Sequence, residues 1–125
     1  MSTAPYESSQ DPSPRTAEEL REQWDFFADP EFDKPSARSH TSGVRQSLLW
    51  VMGKRAAAPV SGVALSRPPT MSEIAAEAEH AYEGMSATSQ RGREWNVRHG
   101  GGFLQGCEHA LFWAAKLGDD EDWGI

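Results

Sequence analysis

The sequence predicts an all-α fold: a compact bundle of four to five helices with an extended N-terminal arm and an acidic C-terminal tail. Three observations predict it. Apolar residues recur at helical spacing in several segments. Two Thr-x-x-Glu capping boxes, Thr16–Glu19 and Thr70–Glu73, mark helix starts. No segment carries a strong strand pattern. At 125 residues the chain has the length of one domain with one modest core. The expected organisation is an arm over 1–15, a helical domain over 16–118 and a tail over 119–125.

Residues 1–15 are rich in Ser and Pro, with Pro5, Pro12 and Pro14, and contain too little apolar surface to order themselves. After the Thr16 cap, Leu20, Trp24 and Phe27 form one apolar face of a first helix. Asp29-Pro30 ends it, because the residue before proline avoids the helical region. Residues 31–37 read as an extended connection. A second helix begins at Ser39, Thr41 or Ser42 and runs to Met52, with Val44, Leu48, Val51 and Met52 as its stripe and Gly53 as its stop.

Residues 54–69 form a long connection. Val60 and Val63–Leu65 suggest a short strand there, but Gly62 and the nearby prolines leave it no evident partner. Connections of this length are often functional or mobile. The Thr70 box opens a third helix with the stripe Ile74, Ala78, Ala81, Tyr82 and Met85, ending at Gly84. Its opposite face, with Glu73, Glu77, Glu79, His80 and Glu83, reads as solvated. A fourth helix lies within 86–98 around Trp95. His99-Gly-Gly-Gly102 then breaks the chain. The last helix, Phe103 to Leu117, is the most apolar and belongs at the centre of the bundle.

Two of these segments echo each other. Gly43, Leu48 and Trp50 recur at the same offsets as Gly106, Leu111 and Trp113, and Val44/Cys107, Ser47/Ala110 and Leu49/Phe112 match in size or polarity. Short amphipathic helices reach such agreement by chance as well as by duplication. On either origin both segments belong to the core. A glycine admits a partner backbone, and a tryptophan buries a large area of definite shape. The expectation is two similar core helices in contact, with both tryptophans buried.

The formal net charge is −7 and the mean hydropathy −0.65. Residues 1–33 carry a net −7, and residues 34–72 carry +6 with no acid at all. The simplest use of such blocks is pairing within the fold, acidic first helix against basic middle; the other is a basic face for a partner. The acidic balance argues against direct nucleic-acid binding, which needs a basic footprint. No stretch approaches the ~20 apolar residues of a membrane span. The N-terminus shows no secretory pattern, and the single Cys107 fits a reducing compartment, so a cytoplasmic location is expected.

Candidate chemistry is sparse. His99-Gly-Gly-Gly102 matches the oxyanion motif of esterases, but no Gly-x-Ser-x-Gly elbow accompanies it. Gly100–Gly102 precede a helix N-terminus, and Arg91, Arg93 and Arg98 stand upstream, a weak anion-binding pattern without a phosphate-loop signature. Cys107 and His109 are two apart on a helix and diverge, which disfavours both a metal pair and a nucleophile pair. The reading is therefore no enzyme, no catalytic residue, no cofactor and no metal. The remaining candidates are partner-binding: Tyr6 in the arm; Lys54, Arg55 and Arg67 in the basic connection; Arg91, Arg93 and Arg98; and Asp119, Asp120, Asp122 and Trp123 in the tail.

The segments Arg45-Gln-Ser-Leu-Leu-Trp-Val-Met-Gly53 with Ala58-Pro59, and His99-Gly-Gly-Gly-Phe103 through Leu111-Phe-Trp-Ala-Ala115, resemble small helical accessory proteins of actinobacteria and their phages. The scarcity of lysine, three in all, points the same way. The resemblance covers about a third of the chain and carries over no functional residue. It implies a phage or mobile-element accessory protein, located in the host cytoplasm or in the virion. The expected function is a non-enzymatic helical module binding a protein partner. The alternatives are a self-assembling structural component such as a virion part, and an acidic nucleic-acid mimic that inhibits a host enzyme.

Overall fold

The computed structural model describes residues 11–116. Among them are five α-helices and no strand: α1 (Ala17–Phe26), α2 (Arg38–Val51), α3 (Met71–Ser86), α4 (Gln90–His99) and α5 (Gly101–Ala115). Both capping boxes form, with Thr16 and Thr70 accepting from the amides of Glu19 and Glu73. Gly53 adopts φ +77° and stops the chain just after α2.

Helices α2 and α5 form the central pair, and α3 packs on α5 from the other side. The α2–α5 crossing is made by backbone. A Cβ built on Gly43 would overlap the carbonyl oxygen of Phe103, and one built on Gly106 would overlap that of His40. The same substitutions would press against the amides of Cys107 and Val44. Every partner in the first contact lies 63 residues from its counterpart in the second, so the sequence echo is also a structural exchange of the two helices. With no side chain between them, each glycine turns a Cα–H toward a carbonyl, a weak attraction of about 0.5–1 kcal/mol.

The echoed side chains surround this crossing. Val44, Ser47, Leu48, Cys107 and Leu111 are fully buried, Ala110 nearly so, and Trp50 and Trp113 are buried as well. The expected contact between the two helices and the burial of both tryptophans are thus present. Ile74, Ala78 and Ala81 of α3 and Leu104 of α5 complete the core.

Several boundaries differ from the sequence expectation, each for a local reason. Pro30–Asp33 is a 3-10 turn rather than extended chain. Asp29 caps it by accepting from the Glu31 amide at 2.9 Å, and Pro30 sits at its first position, where a missing N–H costs nothing. Helix α2 starts at Arg38 after Ala37, without a side-chain cap, ahead of Ser39, Thr41 and Ser42. The glycine run breaks only at Gly100, with φ +83°; Gly101 and Gly102 are the first turn of α5. Gly84 does not end α3. It is buried in the helix, where Leu104 and Trp95 leave little room for a Cβ, and Ala87 in the left-handed region terminates the helix instead. Tyr82, expected in the core, is 61% exposed.

Residues 54–69 carry a single isolated bridge, Ala57 to Ala64, and no strand. Val60 is nonetheless buried, because Glu77 holds the loop down. Its Oε1 accepts from the amides of Val60 and Ser61, both at 2.7 Å, and its Oε2 accepts from Ser61 Oγ at 2.9 Å. Glu77 is only 4% exposed, which corrects its expected place on a solvated face. A carboxylate removed from water needs such donors, and two amides and a hydroxyl supply them. His99 Nε2 meets Val60 O at 3.0 Å from the far side.

Residues 11–15, the described part of the expected arm, are also fastened. Asp11 O accepts from the Met71 amide, Ser13 Oγ donates to Ala114 O at 2.6 Å, and Arg15 Nε donates to Trp113 O at 2.8 Å. These contacts satisfy carbonyls at the C-terminus of α5, where a cation is also favoured by the helix dipole. The Arg15 guanidinium lies 4.3 Å over the Trp113 ring.

Replacing Gly106 with Ala should force the central helices apart and lower stability by at least the ~1–3 kcal/mol typical of overpacking. Trp113→Ala should cost ~3–5 kcal/mol by leaving a cavity. Chemical denaturation followed by circular dichroism measures both, and the Gly106 effect should be far larger than that of Gly101→Ala, where a Cβ meets nothing.

Candidate functional site

The partner-binding candidates divide sharply in the structure. Arg55 is turned inward, donating to Ala57 O at 3.1 Å and to Gln46 Oε1. Arg67 forms a two-pronged pair with Glu73 at 2.7 and 3.1 Å, which holds the Glu73 carboxyl down at about 2. Arg91 does the same with Glu83 at 2.8 and 2.9 Å, and with Ser89 it lowers the Glu83 carboxyl to about 2. These three cations fasten the fold. The acidic first helix packs on α2 of the basic middle, but the expected charge pairing between them is not formed among the described residues. Its ion pairs are local, Arg15–Glu19 and Arg21–Asp25, and it meets the middle through Trp24 lying under Arg45 at 3.6 Å.

Lys54, Arg93 and Arg98 remain exposed and make no ion pair among the described residues. Lys54 lines a shallow groove with Arg15, Arg21, Pro68 and Pro69. Arg93 and Arg98 share the outer face of α4 with Gln90, Glu94 and Val97, because positions spaced three and four apart align on a helix. Val97 is 87% exposed, the most exposed large apolar residue described. Only Gly92 of α4 is buried, and its lack of a Cβ lets the helix lie on the Glu83 carbonyl of α3. Sequence reasoning found both arginines and missed Val97, although its place between them in Arg93-x3-Val97-Arg98 was visible. Tyr6, Asp119, Asp120, Asp122 and Trp123 lie outside the described residues, as does Gly118.

The weak anion pattern at the glycines does not assemble. Arg91 is committed to Glu83, and Gly100 and Gly101 stand in open space. Nor does a cluster of three or more metal-ligating side chains occur among the described residues. Cys107 faces the crossing, within 3.6 Å of Gly43 O, and burial pushes its thiol up to about 12. Such a thiol is neither nucleophile nor ready ligand. It should react with a thiol reagent slowly in the native state and rapidly in denaturant, measured by absorbance of the released chromophore.

His40 and His109 form the one histidine pair of the described core rim, with Nε2 and Nδ1 3.1 Å apart across the α2–α5 crossing. Burial, and next the charge of His109, hold His40 below the usual imidazole range. The unfolded chain therefore binds a proton here more readily than the folded one. Stability from this site is complete above the ordinary value of 6.5 and is lost as pH falls through the lower folded value. The melting temperature should drop between about pH 7 and pH 5, and His40→Gln should flatten that part of the profile.

No helix of the described residues is long and apolar enough to cross a membrane. No protein-family model, curated protein or solved structure matches this chain.

Proposed function

We propose that this chain is a non-enzymatic helical module that binds a protein partner through the outer face of α4. One observation carries the reading: Val97, 87% exposed, stands between two arginines that the fold does not use. An exposed apolar side chain flanked by two arginines without an ion pair offers a partner one anchor and a charged edge. The neighbouring Arg91 is neutralised by Glu83, so the positive field is local to Arg93 and Arg98. It extends only about 8 Å at physiological salt.

The matching partner surface is an acidic segment with one apolar side chain. A nucleic acid fits less well, because the whole chain carries −7 and Glu94 lies within the same face.

A photo-crosslinking residue placed at Val97 in the native host should give one protein adduct of defined mass, and the same residue at exposed Glu22 should not. Arg93→Glu with Arg98→Glu should weaken the interaction on the order of tenfold at low salt and much less at ~1 M, where screening is nearly complete. Helix content should stay unchanged, since no side chain on this face is packed. Equal adducts at both positions, or binding indifferent to the charge reversal, would remove α4 as the docking face.

A further inference from the structure

We propose that the cleft between α1, the 3-10 turn and α2 binds a small organic carboxylate with an aromatic or aliphatic body. The cleft measures about 560 Å³, inside the ~300–1,000 Å³ of small-molecule sites. Its apolar wall is Trp24, Phe27, Phe32 and Leu49. The rings of Phe27 and Phe32 lie 4.9 Å apart, so that wall is rigid and aromatic.

Its polar groups are spoken for, with two exceptions. Asp33 pairs with Arg38 at 3.3 Å, and Asp29 accepts from the Glu31 amide. Gln46 donates to Ser42 and accepts from Arg55. What remains is Arg45 and Thr41. Thr41 is 8% exposed and its Oγ1 is buried without a hydrogen-bond partner; Arg45 Nε is likewise buried and unpartnered. The two residues stand one turn apart on α2, four positions along, and both line the cleft. Trp24 holds the guanidinium from behind at 3.6 Å.

Buried donors left unmade are costly, more so on a charged group, and a ligand that supplies the acceptor recovers that cost. A carboxylate offers acceptors to both residues and balances Arg45, the cation of this cleft that has no anionic partner, Arg38 being paired with Asp33. A dianion such as a phosphate monoester suits the site less, because Asp29 and Asp33 stand on the rim. The site shares no residue with the α4 face, so each can fail without the other.

Amide and indole NMR resonances of the full chain, titrated with naphthylacetate, test the site. Saturable shifts are expected at Thr41, Arg45 and the Trp24 indole, with the neutral naphthylacetamide binding at least tenfold more weakly. Arg45→Met, which keeps an apolar stem on Trp24, should lose that preference for the acid. Thr41→Val should weaken the acid severalfold while the spectrum stays dispersed. The comparison of acid with amide on the unaltered chain stands even if a variant misfolds. Acid and amide binding alike, shifts mapping elsewhere, or no saturation at millimolar ligand would overturn the proposal.

Discussion

The approach of two backbones at Gly43 and Gly106 constrains everything else in this fold. Where carbonyls of one helix lie against Cα atoms of the other, no intervening side chain can adjust the spacing. The distance between α2 and α5 is therefore set by main chain alone, and the surrounding side chains must fit what remains. Val44, Cys107, Leu48 and Leu111 fill the core beside the crossing, and the two tryptophans are buried in the same core. The same geometry buries the thiol of Cys107 and brings His40 within reach of His109. A pair of glycines thus sets the surroundings of residues that are not glycine.

Around that pair, charged groups act mainly as fasteners. Glu77 draws two amides and a hydroxyl of the long connection onto α3, and Arg15 and Ser13 close the carbonyl end of α5. Exposed ion pairs contribute little each, and Arg67–Glu73 and Arg91–Glu83 matter more for where they hold the chain than for energy. Because these cations are consumed internally, the positive charge left for a partner is concentrated on α4. Only Gly92 of that helix is buried, so its outer face lies in solvent.

Two surfaces remain unexplained by folding alone: the Val97 face and the Arg45–Thr41 cleft. One is convex, exposed and charged at its edges; the other is concave, aromatic and holds unsatisfied donors. The two proposed sites share no residue.

The sequence by itself determined the helices, because their signals are local. Capping boxes at Thr16 and Thr70, stripes at three- and four-residue spacing, and Gly53 after an apolar run all act within a few residues of the chain. It also determined the echo at Gly43 and Gly106, and hence which helices form the centre. The tertiary structure alone decided whether a polar residue faces water. Glu77 stands three after Ile74 and four before Ala81, on the edge of the apolar stripe, but only the loop folding over it supplies donors for its carboxylate. Tyr82 carries the right spacing for the core and points out because nothing packs over it. Of six basic candidates, three are tied to acceptors within ten residues along the chain and three make no ion pair among the described residues, a division that depends on how the connection and the α3–α4 turn fold. The cleft was illegible for the same reason: Trp24, Thr41 and Arg45 meet only when α1 folds back onto α2, and no local pattern encodes that encounter.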